Sequence, residues 1–328
     1  MNILYPVLLT MILLTGCSSS DLEPLSDTAP SIRESSTYEV IKETDLIYGE
    51  GLSHESLNSV ASTVVPLRLD VYAPIDNNEN RPAFVFIHGG GFTGGTKQQA
   101  NILNLAEFYA SRGWVFISID YRVQSDLGTV PQEWLDYSPP LATPSQVNQY
   151  LAIYPAQRDA KAAMRWLSVH AEDYHINRDY ITIGGGSAGA ITAITVGISD
   201  EEDFRDELTT ITDPTLASTY VNESFEVHTI IDFWGSKVAL DAHQEIYGFD
   251  RFDAGDPPLL IVHGTEDPTV PFSGAEELKS IYETLEIPLA YYPIEGGGHG
   301  VWNATVDGKR IEELAFDFIV EQQGLSLE

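Results

Sequence analysis

Short apolar runs alternate with segments of helical periodicity along most of the chain. The run at 83–87, Ala-Phe-Val-Phe-Ile, leads into a cluster of glycines, as expected of a buried parallel strand that ends in a functional loop. The next segment has apolar residues at helical spacing and stops at Gly113. On these patterns we predict strands at residues 38–48, 67–72, 83–87, 114–119, 180–183, 227–231, 259–262 and 289–294. We predict helices at residues 97–112, 155–172 and 309–322, and another that begins near Ser187.

Strands that alternate with helices predict an α/β fold with a doubly wound, mostly parallel sheet flanked by helices. Two segments interrupt this alternation. Residues 123–154 contain four prolines and few periodic apolar positions, and residues 200–226 are acidic and irregular. Long irregular segments of a compact domain are usually functional or disordered, so both segments are candidates for cap or lid insertions.

The net charge of the chain limits the kinds of molecule that it can bind. The chain has 17 Lys and Arg residues against 49 Asp and Glu residues, which gives a formal net charge of −32. Such a surface repels phosphate backbones and anionic membrane faces, so we expect no nucleic-acid partner. The charge is typical of a soluble or salt-adapted protein and indicates little about the fold.

The N-terminal residues predict export and lipid attachment. Residues 1–16 hold an apolar stretch that is short for a membrane span but fits a secretory signal, although no Lys or Arg precedes it. The stretch ends in Leu-Thr-Gly-Cys, which resembles the bacterial lipoprotein signal. This resemblance implies lipidation of Cys17, the only cysteine of the chain. An ordinary cleaved signal or a weak membrane anchor is the alternative.

The lipoprotein signal divides the chain into three parts. After the signal peptide, residues 17–36 are rich in Ser, Asp and Pro, and we expect them to form a flexible tether. Residues 37–328 then form the folded domain. We expect a location in the cell envelope, at the outer membrane or facing the periplasm or cell surface. The lipid at Cys17 would be the only contact with the membrane.

The first candidate for chemistry is the sequence Gly-Gly-Ser-Ala-Gly at 185–189, which follows a predicted strand and opens a predicted helix. A serine hydroxyl is a weak nucleophile until it is presented openly beside a base. The flanking glycines let strand and helix pass closely while Ser187 lies strained at the apex. The N–H groups that begin the helix, including that of Ala188, would point at the reacting oxygen. A phosphate-binding turn is the alternative, but no lysine follows it.

The second candidate is His-Gly-Gly-Gly-Phe at 88–92, directly after the strand at 83–87. Consecutive glycines let a loop turn its N–H groups into a pocket, where each stabilises a tetrahedral oxyanion by about 3–4 kcal/mol. Gly90 and Gly91, together with Ala188, are the donors that we predict. We expect His88 to orient the loop rather than to react. A loop that is merely flexible is the alternative for three glycines in a row.

The acid and the base follow later strands. Asp267 lies in a tight acidic loop after the strand at 259–262, with Glu266 as its nearest rival and His263 expected to pack at the strand end. An acid in this place would hold an imidazole in the correct tautomer. His299 is flanked by glycines, which would let its ring lie between acid and serine. Serine, acid and histidine then occur in the chain order that is typical of a strand–turn–helix nucleophile.

Together these stretches resemble the HGGG-type esterases and lipases of the α/β-hydrolase superfamily, close to the hormone-sensitive-lipase-like and type-B carboxylesterase groups. The resemblance covers about residues 66–320 and includes Asp-Tyr-Arg at 120–122, which we interpret as architectural. It implies an α/β-hydrolase fold, Ser187, Asp267 and His299 as the catalytic residues, and no metal or organic cofactor. Gly186 departs from the hormone-sensitive-lipase-like group, which usually has Asp there. The loop around Asp267 is more similar to dienelactone hydrolases and peptidase-like members.

The reaction implied by this resemblance is hydrolysis of a carboxylic ester through an acyl-enzyme. We expect short-chain or aromatic esters, either small molecules or ester groups linked to a polysaccharide, because no extensive apolar lid is visible. Four aromatic residues are candidates to line the pocket: Phe92, Trp134, Tyr137 and Trp302. A serine peptidase of the prolyl-oligopeptidase type is the first alternative, although that type usually carries a large additional domain. A non-catalytic binding module on a hydrolase fold is the second.

Overall fold

The computed structural model describes residues 28–137 and 143–328. The predicted signal peptide and the lipidation site at Cys17 lie outside the described residues, so both stay predictions. Within these two ranges, no helix is both long enough and apolar enough to cross a membrane.

The predicted strands are all present, several of them longer than predicted, and four short strands join them. The strands are β1 Ser31–Ile32, β2 Val40–His54, β3 Ser62–Pro74, β4 Arg81–Ile87, β5 Val115–Ile119, β6 Ile176–Gly186, β7 Thr229–Phe233, β8 Leu259–Gly264, β9 Leu289–Ile294, β10 Thr305–Val306, β11 Lys309–Arg310 and β12 Ser326–Leu327.

Eight of these strands form one sheet in the order β2-β3-β5-β4-β6-β7-β8-β9. The pairs from β5 and β4 through to β9 are parallel, whereas β2, β3 and β5 pair antiparallel at one edge. Every residue of β4 is buried, as the apolar run at its centre predicts. Parallel strands end at the same edge of the sheet, so the loops after β4, β6, β8 and β9 can meet there.

Helices cover both faces of the sheet. They are α1 Ala100–Ala110, α2 Gln132–Tyr137, α3 Pro144–Leu151, α4 Ile153–Val169, α5 Ala188–Ile198, α6 Val238–Tyr247, α7 Ser273–Leu285 and α8 Ile311–Gln323. Alternate residues of β4 divide between two apolar cores: Val85 packs in the core with α4 and α5, and Phe86 packs in the core with α1 and α8. The doubly wound, mostly parallel sheet that the sequence predicts is therefore confirmed.

The two segments that interrupt the alternation have different places in the fold. Residues 200–226 pack against α4, where the buried side chains of Arg158 and Arg165 bond to the Asp213 carboxylate and the Thr219 carbonyl. Residues 123–154 contain α2 and α3, and α3 reaches the edge of the sheet at which the parallel strands end. Only the second of these segments lines the site described below, so residues 200–226 support the fold instead of capping the site.

The folded domain begins earlier than the predicted boundary at residue 37. Strand β1 pairs in parallel with β12 near the C-terminus, and Ile32 is completely buried against α1 and Trp114. Arg33 also bonds to Glu328 at 2.9 Å. The sequence assigns these residues to the flexible tether because their polar composition gives no strand signal. The folded domain therefore includes Ser31 and Ile32, since a strand pair and a buried apolar side chain fix the chain there.

Candidate active site

Ser187 lies at a sharp turn between β6 and α5. Its backbone angles are φ 56° and ψ −122°, a left-handed conformation that costs a non-glycine residue energy. The turn is held from the neighbouring strand, because the Ser187 N–H donates to the carbonyl of Phe233 at 2.9 Å. The serine is nine-tenths buried, and its hydroxyl faces the clefts described below.

The glycines on either side of Ser187 are required by packing. A Cβ at Gly185 would lie 2.2 Å from the backbone carbon of Gly189, and a Cβ at Gly189 would lie 2.0 Å from the carbonyl oxygen of Ile87. No side chain fits at either distance, so strand β4, the turn and helix α5 are in direct backbone contact. The spacing of the two glycines is the signal by which the sequence predicts this turn.

The structure brings Ser187, His299 and Asp267 together. His299 Nε2 lies 2.9 Å from Ser187 Oγ, and His299 Nδ1 donates to Asp267 Oδ2 at 2.7 Å. The three side chains come from the loops after β6, β8 and β9, which the parallel sheet places at one edge. A hydroxyl, an imidazole and a carboxylate in this order form a nucleophile, a general base and a group that orients the base.

Asp267 is placed to stay ionised. Burial raises the pKa of its carboxyl group, but hydrogen bonds from His299 and from the N–H groups of Thr269 and Val270 outweigh that effect, and the net pKa is lowered. The two N–H groups lie 2.8 and 3.0 Å from Oδ1, whereas Oδ2 lies 2.7 Å from His299 Nδ1 and 3.4 Å from His263 Nε2. Glu266, the rival in the sequence, is exposed and has no hydrogen bond to His299.

The glycine loop after β4 lies beside the serine. Gly90 and Gly91 have φ angles of 138° and 61° and line the same cleft as Ser187. Ala188, the first residue of α5, lines the neighbouring cleft. Within the described ranges the N–H groups of these three residues have no hydrogen-bond acceptor outside helix and strand ladders, which an oxyanion-binding role would require; that role stays a prediction.

His88 and His263 support loops and do not touch Ser187. The His88 ring is buried, stacks on Tyr121 at 4.4 Å and bonds to the carbonyl of Gly89 at 2.8 Å. Burial lowers the pKa of His88, which favours its neutral form. His263 is buried at the end of β8, where its Nε2 donates to the carbonyl of Val270 at 2.9 Å. Both residues therefore have the structural places that the sequence predicts.

The Asp-Tyr-Arg motif at 120–122 is architectural, as the sequence predicts. Arg122 forms a buried ion pair with Asp159 at 2.6 Å. Asp120 accepts a hydrogen bond from the backbone N–H of Lys97 at 2.7 Å and so fixes the chain just after the glycine loop.

Two clefts meet at Ser187. The first, the α3 cleft, has a volume of about 330 Å³ and is lined by residues that include Phe92, Tyr150, Ile153 and Ile191. The second, the tryptophan cleft, has a volume of about 380 Å³. Its lining includes Phe86, Ile102, Trp234, His299 and Trp302.

Of the four aromatic candidates from the sequence, Phe92 and Trp302 line these clefts. The other two are wrong: Trp134 is buried in the core against Phe204, and Tyr137 bonds to Glu245 on α6. Trp234 and the α3 side chains were not anticipated from the sequence. Their neighbours in the chain carry no motif, and only the packing of distant elements brings them to the serine.

Asp203, Glu207 and His243 form the one group of side chains, among those the structure describes, whose ligand atoms lie within 4.8 Å of one another and could hold a metal ion. Arg251 already donates to Asp203 at 2.7 Å, and Tyr154 donates to Glu207 at 3.1 Å. Ion pairing and hydrogen bonding therefore account for the cluster, which joins residues 200–226 to α6.

The chain matches a known protein family and is similar to curated proteins. The family described as BD-FAE matches residues 69–137 and 147–247, more than half of the chain. Esterase LipC of Mycobacterium tuberculosis is 24% identical over 250 residues, which are 70% of this chain and 55% of LipC. The chain thus spans little more than half of the length of the curated relatives that it matches.

The chain is also similar to solved esterase structures, and the similarity covers nearly the whole length of those esterases. Thermogutta terrifontis esterase 2 phosphorylated by paraoxon is 26% identical, with a TM-score of 0.56 over 84% of this chain and 95% of that one. The propionate-bound form of the same esterase is 25% identical, with a TM-score of 0.58 over 83% of this chain and 94% of that one. The chain therefore belongs to the BD-FAE family and has the α/β-hydrolase fold.

Proposed function

We propose that this chain is a serine esterase that hydrolyses short-chain or aromatic carboxylic esters through an acyl-enzyme on Ser187. The observation that carries the proposal is the pair of distances at His299: 2.9 Å to Ser187 Oγ and 2.7 Å to Asp267 Oδ2. His299 takes the hydroxyl proton as Ser187 attacks the ester carbonyl, and the ionised Asp267 stabilises the imidazolium that forms.

The carbonyl oxygen becomes negatively charged as the tetrahedral intermediate forms. The N–H groups of Gly90, Gly91 and Ala188 bind this oxyanion and stabilise its charge. His299 then protonates the leaving alcohol. Water, activated by the same imidazole, attacks the acyl-enzyme and releases the acid, and the serine recovers its proton. Every step uses side chains and backbone groups of this chain, without a metal or an organic cofactor.

The size of the two clefts favours esters whose acyl and alcohol groups are small. Both volumes, about 330 and 380 Å³, lie at the lower end of the range of roughly 300–1,000 Å³ that ligand pockets occupy. The indole rings of Trp234 and Trp302 meet edge to face at 4.8 Å and wall off the tryptophan cleft. Such a wall suits a short chain or a single aromatic ring. An ester group carried by a polysaccharide also fits, because both clefts open to solvent.

Reagents that modify the structural relative supply the first test. Thermogutta terrifontis esterase 2 is phosphorylated by paraoxon. We expect paraoxon to add one diethylphosphoryl group to Ser187 of this chain, as intact mass and peptide mapping would show. Ser187→Ala should keep the fold and take up no label. Labelling of a different residue, or ester turnover in Ser187→Ala comparable to the unmodified protein, would overturn the assignment.

Substrate class is tested with a p-nitrophenyl acyl series from acetate to palmitate, run beside peptide anilides. We expect turnover to be highest for short acyl chains and to fall steeply beyond the length that the clefts hold. Faster cleavage of anilides than of esters would favour a peptidase. A folded protein that is inactive on both sets would favour a binding module.

We also propose that lipid on Cys17 holds the enzyme at the cell envelope. The support is the sequence Leu-Thr-Gly-Cys after an apolar stretch. A tethered enzyme of this kind would act on esters that reach the cell from outside.

A further inference from the structure

The carbonyl groups of the glycine loop are all fixed, and by different parts of the fold. Gly89 O accepts from the Gln99 side chain at 3.3 Å, and Gly90 O accepts from Thr93 Oγ1 at 2.9 Å. Gly91 O accepts from Gln149 Nε2 at 2.8 Å. Gln99 and Thr93 lie within or just after the loop, whereas Gln149 belongs to α3, more than fifty residues further along the chain.

Fixing a carbonyl also fixes an N–H group. In a trans peptide the C=O of one residue and the N–H of the next point in opposite directions. Anchors on the carbonyls of Gly89 and Gly90 therefore aim the N–H groups of Gly90 and Gly91 away from those anchors. Gly91 has no side chain to restrict its two torsions, so the anchors on the peptides before and after it must do so.

The peptide before Gly91 is anchored by Thr93, and the peptide after it is anchored by Gln149. A Cβ built on Gly91 would lie 3.4 Å from Gln149 Nε2, so the glutamine amide lies directly against this glycine. A second contact strengthens the link between α3 and the loop. Gln124 donates its backbone N–H to the carbonyl of Phe92 at 2.7 Å and its side-chain amide to the carbonyl of Ser145 at 3.0 Å.

We propose that Gln149 is a positioning residue for the oxyanion-binding loop. Its amide holds the carbonyl of Gly91, restrains the peptide that follows this glycine and so keeps the N–H groups of the loop in place for the charge that develops on the substrate oxygen. The proposal rests on the proposed esterase function. It gives the inserted segment at 123–154 a part in catalysis beyond lining the α3 cleft.

The test compares Gln149→Ala and Gln149→Glu with the unmodified protein on p-nitrophenyl butyrate. Loss of one oxyanion donor lowers kcat by about 100- to 1,000-fold, so a donor that is only misdirected should cost roughly 10-fold in the Ala variant and up to about 100-fold in the Glu variant. The Glu variant should be the slower one, because its carboxylate has no proton to donate and would repel the carbonyl oxygen. KM should change by less than about twofold, since the effect is on the transition state.

A boronic acid, which becomes tetrahedral when Ser187 Oγ adds to its boron, supplies a readout that a purely structural role would not move. Its affinity should fall by the same factor as kcat, because it places an oxygen where the oxyanion forms. The matched control is Gln132→Ala. This exposed glutamine belongs to the same inserted segment, and among the described residues its amide bonds to Asp136. This control should keep the kcat and the boronate affinity of the unmodified protein.

The outcomes separate the two proposals. An unmodified protein without esterase activity would overturn the proposed function. The role of Gln149 would be overturned if the unmodified protein is active and its Gln149 variants keep kcat within twofold. It would also be overturned if only KM changes in these variants. If Gln149→Ala or Gln149→Glu melts at a markedly lower temperature, Gln149→Met keeps the length and the packing of the side chain without the amide. Normal kcat in that variant would also overturn the inference.

Discussion

Asp232 gives a prediction about stability whose size follows from its burial. It lies in β7 between Gly185 of β6 and Ile261 of β8, with none of its surface exposed. Its Oδ1 accepts from the N–H of Gly235 at 2.6 Å, whereas its Oδ2 has no hydrogen-bond partner in the described part of the chain. Burial raises the pKa of this carboxyl group from 3.8 to about 7, and the single bond from Gly235 lowers it only partly.

The raised pKa makes Asp232 a source of instability at neutral pH. Between pH 3.8 and about 7 the folded protein holds a proton that the unfolded chain has lost. The free energy of unfolding therefore falls by about 1.4 kcal/mol for each pH unit in this window. The stabilising effect of the proton is complete below pH 3.8 and is lost as the pH rises through about 7. The total amounts to about 4 kcal/mol.

Asp232→Asn removes this titration while keeping an acceptor for the N–H of Gly235. We expect the variant to gain stability relative to the unmodified protein as the pH rises, by about 3 kcal/mol more at pH 8 than at pH 5. Urea unfolding followed by circular dichroism at pH 5, 6, 7 and 8 measures this difference. Comparing the two proteins at each pH cancels the titration of all other groups.

The difference in the free energy of unfolding between Asp232→Asn and the unmodified protein could instead be the same at every pH. Such a difference would reflect only the new amide and would not support a raised pKa for Asp232. The matched control is Asp136→Asn, which changes an exposed carboxylate that accepts a hydrogen bond from Gln132. Its stability difference should not grow between pH 5 and pH 8. A difference for Asp232→Asn that is flat over this range, or that shrinks as the pH rises, would refute the assignment of a buried neutral acid.

Three further predictions concern the site and the N-terminus. Asp267→Asn should lower kcat by about 10⁴-fold with little change in KM, because the imidazole loses its orienting acceptor; a loss below tenfold in steady-state assays would contradict this role. Gly189→Ala should destabilise the fold by at least about 2 kcal/mol in urea unfolding, since its Cβ would collide with the Ile87 carbonyl; an unchanged midpoint would contradict the packing argument. Mass spectrometry should find acyl chains on Cys17, and Cys17→Ser should release the protein from membranes; an unmodified, soluble N-terminus would refute lipidation.

The sheet could be predicted because its strands carry a strong signal. In β4 and β5 nearly every residue is apolar and buried, so the pattern and the structure agree to within two residues. Four of the eight helices in the described ranges were missed. Helices α2 and α3 lie in the proline-containing segment at 123–154, whose apolar positions show little periodicity, and α6 and α7 were missed for different reasons. In α7 the signal exists, since Ala275, Leu278 and Tyr282 are buried at helical spacing. In α6 the buried residues include His243, and no clear apolar stripe distinguishes the segment from a loop.

The triad geometry agrees with the sequence because each of its members follows a strand and is marked by a local motif. The surroundings of the triad have no such mark. Trp234 comes to the tryptophan cleft through a turn with φ 49° after β7, and Gln149 comes to the glycine loop through the packing of α3. Both placements depend on contacts between distant segments, which residue types and spacing do not encode.

The fluorescence of the two indole rings of the tryptophan cleft can report on the covalent state of Ser187. Trp234 and Trp302 both line the cleft beside Ser187, and the Trp234 ring centroid lies 6.5 Å from that of His299. The chain has five tryptophans, and the other three are buried in the apolar cores: Trp114, Trp134 and Trp166. An acyl or phosphoryl group on the serine would change the fluorescence of the first pair against a constant background. Formation and breakdown of the covalent intermediate can thus be followed in real time with any ester, without a coloured leaving group.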